Sequence, residues 1–287
     1  MILFIQQILN GLTLGSIYSL VALGLTLVYG IMHIPNFAHG AFYMMGGFVA
    51  YSLMTKAGVP YWPAILCAAA VSAVIAMVSE RLVFRALENA LPLHHMIAAI
   101  GILLFLEALA HAIWGAEFHR MPTPYTGSVT LAGLSLPTQR ILIIVSAFVL
   151  MVALNLFLRK TLLGTAILAM AQNREGAFLM GIDANKISLL TFAIAGALAA
   201  VAAALFAPIN LIYPTMGELV IMKAFVIIIL GGMGSISGAI VGGLIIGMAE
   251  ALAGFYVSSD YKDLIAFAVL VLILALRPEG LFTKGMR

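Results

Sequence analysis

Charge is scarce in this chain. Only 9% of its 287 residues are Asp, Glu, Lys or Arg, against 64% hydrophobic, where a soluble domain carries roughly 25% charged residues. With a mean hydropathy of +1.16, that shortage excludes a soluble globular protein. The net charge of +3 is too small to imply a nucleic-acid partner and reflects loop asymmetry instead. Cysteine is rarer still: Cys67 stands alone in an apolar run. There is no disulfide framework and no metal-ligand spacing, and Cys67 itself reads as packing. No G-x-x-x-x-G-K-[ST] run exists that could cradle a nucleotide phosphate, so any work must be delivered from outside the chain. No H-E-x-x-H occurs either, and Gly234-Ser235-Ile236-Ser237-Gly238 puts Ile where a G-x-S-x-G nucleophile would stand. No catalytic residue, cofactor or metal is expected. The opening residues MILFIQQILNGLTLG lack a positive n-region and a small-residue cleavage pattern, so the first apolar segment is expected to be retained.

What the chain has in abundance is apolar sequence, in stretches near the ~20 residues that cross a bilayer. The expected fold is all-α, a polytopic transmembrane helical bundle forming one membrane domain over residues 1–287. Its segments are read at 8–30, 40–54, 62–84, 93–115, 139–158, 188–208, 219–233, 235–253 and 261–277. The segments 40–54 and 219–233 fall short of a full crossing, so each is a tilted span, a re-entrant half-helix or part of a broken helix. Eight or nine crossings result. With the N-terminus outside, Arg81, Arg85, Arg159, Lys160, Arg174, Lys186, Arg277, Lys284 and Arg287 fall inside, and Lys56, Arg120, Arg140 and Lys262 outside. Lys223 is assigned to neither side. The excess of basic residues on inner loops favours this orientation, with a cytoplasmic C-terminus.

One long polar interruption stands out, RKTLLGTAILAMAQNREGAFLMGIDANKI from Arg159 to Ile187. Gly164 and Thr165 make a helix start and Gly181 a C′ residue, predicting a single helix over Thr165–Met180. On a 3.6-residue period Leu168, Ala171, Phe178 and Leu179 share a stripe with Glu175, while Gln172, Asn173 and Gly176 turn away. A helix lying at the lipid interface and a peg docking into a groove of a soluble partner both fit that pattern.

Ionisable residues inside spans are functional candidates. Glu107 and His111 stand i, i+4, so their side chains are placed to meet, either lining a polar cavity or forming a structural pair. Glu250 is a second candidate. Glu80 and Arg81 read as interfacial residues at a cytoplasmic end, and Asn10 and Asn155 as bonding across helices. Small residues recur every four positions in Gly234, Gly238 and Gly242, and in Ala239, Gly243 and Gly247, marking faces on which helices approach closely. Gly231, Gly232 and Gly234 would break a helix, and Asn36, His39 and Gly40, after Pro35, mark a comparable interruption in the first half. Such breaks at membrane depth are tolerated beside protein or a water-filled cavity. Two broken helices facing one pathway would make a weak internal repeat.

Four segments in order carry a resemblance. Gly24–Gly47 holds N-F-A-H-G, Gly164–Ile182 reads GTAILAMAQNREGAFLMGI, Lys223–Gly242 reads KAFVIIILGGMGSISGAIVG, and R-P-E-G-L-F runs from Arg277 to Phe282. Together they resemble the permeases of bacterial branched-chain amino-acid ABC importers, of the subtype that pairs with a second, similar permease. One position departs: Leu168 stands where the family often carries Arg, which argues against a basic docking contact there. The resemblance implies a permease subunit of the inner membrane, with no catalytic residue of its own. It implies four kinds of partner: a second homologous permease, two cytoplasmic ATP-binding subunits, a periplasmic solute-binding protein, and a small-molecule solute passing through. Gly164–Ile182 would then be the coupling segment that transmits ATPase closure to the membrane helices. The alternative from another class is a gradient-driven secondary transporter or channel, which requires an acidic or histidine relay near the midplane.

Overall fold

The computed structural model describes residues 2–131, 134–256, 258, 262–276 and 280–282. Helices are α1 (Ile2–Met32), α2 (Ala38–Thr55), α3 (Tyr61–Ser79), α4 (Pro92–Trp114), α5 (Thr138–Lys160) and α6 (Leu162–Gln172). They continue as α7 (Arg174–Leu179), α8 (Ala184–Phe206), α9 (Met216–Gly231), α10 (Ile236–Tyr256) and α11 (Lys262–Leu276). A short hairpin of β1 (Ser128–Leu131) and β2 (Leu134–Pro137) leads into α5, with Ser128 opposite Pro137 and Leu131 opposite Leu134. Each expected apolar segment is a helix. Six helical stretches, the second being α3 with the π-helical turn that extends it, are long and apolar enough to span a bilayer, and α2, α9 and α11 are shorter.

Burial ranks the helices. The membrane window of α1 is 89% buried, whereas those of α4 and α5 are 28% buried, so α1 is the central post and α4 and α5 form the rim. α1 packs on α10, α8 and α9, while α2 and α3 pack on α8. The close approach of α1 and α10 has a plain cause. A Cβ on Gly11 would lie 2.8 Å from the Cα of Met248, one on Gly15 would lie 2.8 Å from the Cα of Leu244, and one on Gly247 would collide with Gly15. Backbones this near maximise dispersion contact where lipid tails supply no hydrophobic drive between helices. Cys67, expected to pack inside, is exposed on α3. A thiol behaves as a small hydrophobe and suits a face turned to hydrocarbon as well as a core.

The short helices do begin inside the bundle. The chain turns after Met32, and Asn36 Oδ1 accepts a hydrogen bond from the Ala38 N–H (3.1 Å), capping the start of α2. His39 then lies beside the middle of α1, its Nε2 3.0 Å from the Val21 carbonyl oxygen. α2 and α9 meet each other where Gly40 and Gly217 touch backbone to backbone, with Phe37 stacked obliquely on Phe225 at 4.9 Å.

The turn between α9 and α10 contains Gly232 at φ +97° and Gly234 at φ +83°, a left-handed geometry that a Cβ would strain. The freed carbonyls of α9 are taken up from downstream. Leu281 N–H donates to the Leu230 carbonyl (2.9 Å) and Phe282 N–H to that of Gly231 (3.1 Å). The described part of the R-P-E-G-L-F motif therefore caps a helix. Arg277, Lys284 and Arg287, counted above for orientation, lie outside the described residues.

Candidate functional site

Two places in the bundle concentrate polar chemistry, one inside it and one on a loop face. Inside, Lys223 of α9 and Glu250 of α10 form an ion pair, Nζ to Oε1 2.8 Å, with side chains 9% and 2% exposed. Tyr18 of α1 ties them together: its hydroxyl donates to Glu250 Oε2 (2.8 Å) and accepts from Lys223 Nζ (3.0 Å). Helical side chains lean toward the N-terminus of their own helix. Because α1 and α10 run antiparallel, Tyr18 and Glu250 lean toward each other. The trio lines a cavity of about 260 Å³ together with Tyr43, Asn210 and Tyr213. Glu250 also lines a neighbouring cavity of about 370 Å³, with Asn10, Thr13 and Arg140.

Of Tyr18, Lys223 and Glu250, the sequence singled out Glu250 alone as a functional candidate. Tyr18 has no distinguishing neighbour in sequence, and Lys223, inside the expected segment 219–233, enters the sequence reading as a basic residue assigned to neither side. The signal was available, since a lone lysine in an apolar helix is a functional candidate wherever it falls in the chain.

Other polar candidates are placed differently. Glu107 is buried and its Oε1 has no hydrogen-bond partner, whereas His111 is exposed, and no hydrogen bond joins them. The i, i+4 spacing is met, but the Glu107 carboxyl turns to the bundle and the imidazole away from it. Glu80 is buried, not interfacial: the π-helical turn Glu80–Phe84 brings Arg85 back onto it, Nη2 to Oε2 2.7 Å. Asn10 bonds within its own helix, to Gln7 (3.0 Å), and Asn155 makes no hydrogen bond across helices among the described residues. Gly231, Gly232 and Gly234 line neither cavity around Glu250. Gly231 is pressed on Gly238, and Gly242 lies against the Ile227 carbonyl, so this glycine face belongs to the α9 contact, while Gly243 meets Ser19 and serves the α1 contact.

The second place is the segment 159–187. The single helix expected over Thr165–Met180 is two helices, α6 and α7, broken at Asn173. Thr161, not Thr165, caps α6, its hydroxyl accepting from the Gly164 N–H (3.0 Å). Gly164 sits where a Cβ would strike Phe157 and Leu158 at the end of α5, which folds α6 back sharply. Asn173 is the N-cap of α7, its Oδ1 accepting from the Gly176 N–H (2.8 Å). The break resets the helical phase and dissolves the expected stripe. Gly164, Ile167 and Met170 are buried, Leu168 and Ala171 are half-buried, and Phe178, Leu179 and Met180 are 68%, 83% and 83% exposed. Gly181, at φ +82°, ends α7 as the spacing predicted. Its N–H bonds the Phe178 carbonyl and that of Ile182 bonds Ala177, the paired closure of a Schellman turn.

Charges brace this segment. Arg174 pairs with Glu88 in the loop between α3 and α4. Arg85 also reaches the Asn185 carbonyl (3.2 Å) at the start of α8. Asp183 caps α8 through the N–H groups of Asn185 and Lys186, each at 3.1 Å. The Lys186 hydrogen bond, with these backbone donors, holds the Asp183 carboxyl below its ordinary range. Between Glu88, Arg174, Phe178, Leu179 and Asp183 lies an open groove of about 790 Å³. Gln172 and Glu175 are exposed beside it.

Comparison with known proteins agrees over nearly the full length. The chain is 37% identical to the high-affinity branched-chain amino acid transport system permease protein LivH of Escherichia coli (strain K12), covering 98% of this chain and 96% of that protein. It is 38% identical to the corresponding BraD of Pseudomonas aeruginosa, with the same coverage. Among solved structures, PsaBC from Streptococcus pneumoniae in complex with Fab has the same fold at a TM-score of 0.52 and 12% identity, covering 96% of this chain and 92% of that one. The family model described as branched-chain amino acid transport system / permease component matches residues 7–274, and the chain belongs to that family.

Proposed function

We propose that this chain is the permease subunit of an ATP-binding-cassette importer that moves branched-chain or related amino acids across the inner membrane. It forms the pathway with a second permease of the same family. Two cytoplasmic ATP-binding subunits supply the energy, and a periplasmic binding protein delivers the solute. The observation that carries this reading is the likeness to branched-chain amino acid permeases over 98% of this chain and 96% of the Escherichia coli relative.

The segment 159–187 supplies the coupling. Phe178, Leu179 and Met180 form an apolar knob, rimmed by Gln172 and Glu175 and open to a groove. The buried face of α6 (Gly164, Ile167 and Met170) and the Arg174–Glu88 pair anchor it. An anchored knob in a partner's cleft transmits displacement, and ATP-driven closure shifts the bundle between inward- and outward-facing populations through contacts that differ in the two states. On this reading the segment lies in the cytoplasm and the N-terminus in the periplasm, as the excess of basic residues on the inner loops supports.

A gradient-driven transporter is the rival, and the buried Lys223–Glu250 pair is the observation in its favour. Uptake of labelled leucine into proteoliposomes holding the complete complex separates the two. The importer reading requires uptake to depend on ATP inside and binding protein outside. Uptake by the permeases alone, driven by an imposed proton or sodium gradient, would remove it.

A further inference from the structure

We propose that the cavity bounded by Tyr18, Tyr43, Tyr213, Lys223 and Glu250 is a transit site for a zwitterion, its carboxylate received by Lys223 and its ammonium by Glu250. This inference rests on the amino-acid permease reading and names where in the bundle the solute is held. A buried ion pair contributes little to stability, and a hydrophobic pair of similar volume is often as good or better. In a chain with 9% charged residues, opposite charges placed beside a cavity call for a purpose beyond packing.

The geometry supplies one. Lys223 and Glu250 come from different helices and are held in direction by Tyr18. Lys223 Nζ lies 2.8 Å from Glu250 Oε1 and Tyr18 donates to Oε2, so each carboxylate oxygen, with two lone pairs, keeps capacity for an incoming N–H donor. A zwitterion supplies both signs at once and exchanges one internal pair for two external ones with no change of net charge. A solute with a single charge would engage one member and leave the other uncompensated in a medium of low dielectric, which is costly. The site therefore favours a zwitterion over either singly charged analogue. Leu14, Phe206 and Val220 complete the wall and give an aliphatic side chain an apolar surface. The cavity of about 260 Å³ is ample for a small solute, since one water requires roughly 10–15 Å³. Glu250 also faces the adjoining cavity that contains Arg140, so the solute can pass from one compartment to the next without leaving its anionic contact.

The test has two arms, both on the complete importer complex. Wild-type leucine uptake checks the importer reading separately. In the first arm the double variant Lys223→Met/Glu250→Leu removes both charges. A structural pair predicts normal uptake, and that result would overturn the proposal. The transit site predicts uptake reduced roughly tenfold or more, with ATPase activity still stimulated by the loaded binding protein. The second arm needs no variant to fold. The wild-type complex, without binding protein, is dialysed against leucine, leucinamide or isocaproate. Leucine should bind roughly tenfold or more tightly than either analogue. Equal binding of the three, or no binding of leucine, would overturn the proposal.

Discussion

At Asn173 a single side chain decides the shape of the proposed coupling segment. Asn is a poor helix-interior residue because its amide competes for backbone groups, and a strong N-cap for the same reason. In A-Q-N-R-E-G both readings are open, and the apolar periodicity on either side masked the break. Asn173→Ala is expected to cost the α7 start about 1 kcal/mol and to reduce ATPase co-purification while membrane insertion is unchanged. Unaltered co-purification would show that the cap does not position the knob. Glu175→Arg is expected to abolish co-purification through the rim itself, measured in the same pull-down. The Lys223–Glu250–Tyr18 cluster was half-legible at best. No local pattern ties positions 18, 223 and 250, and the pairing exists only through the antiparallel packing of α1 on α10 and of α9 beside both.

At the level of elements, helix existence was legible from hydrophobic run length, because a bilayer requires every backbone group to be bonded within its own segment. Which faces meet was partly legible too. The four-residue spacing of glycines on α10 announced close packing, but not that Gly238 and Gly242 turn to α9 while Gly243 and Gly247 turn to α1. That division gives a clean comparison. Gly247→Leu drives a side chain into the Gly15 backbone and is expected to cost about 1–3 kcal/mol, seen as a lower melting temperature and less assembled complex. Gly254→Leu, at a position with open space around its missing Cβ, is expected to leave both unchanged. Equal behaviour of the two variants would contradict a packing origin. The π-helical turn at Glu80–Phe84 had no sequence signal, since its extra residue serves the Arg85–Glu80 contact, which is tertiary in effect.

For the whole molecule, the basic-residue asymmetry predicts an orientation that can be tested chemically. In a Cys67→Ser background, a cysteine placed at Glu117 should react with a membrane-impermeant maleimide from the outside of intact cells, and one placed at Gln172 only after the membrane is opened. The reverse pattern would invert the topology. The capping of α9 by Leu281 and Phe282 bears on biosynthesis as well as on architecture. During synthesis α9 enters the bundle long before its last carbonyls have partners, and they acquire them only when the segment after α11 has emerged. A nascent or truncated chain stopping at Leu276 would carry unsatisfied backbone groups next to the glycine hinge, a defect costing several kcal/mol in hydrocarbon and a ready mark for membrane proteases. Pulse-chase labelling of that truncation should find faster turnover than of residues 1–287, and equal turnover would show that the cap is dispensable.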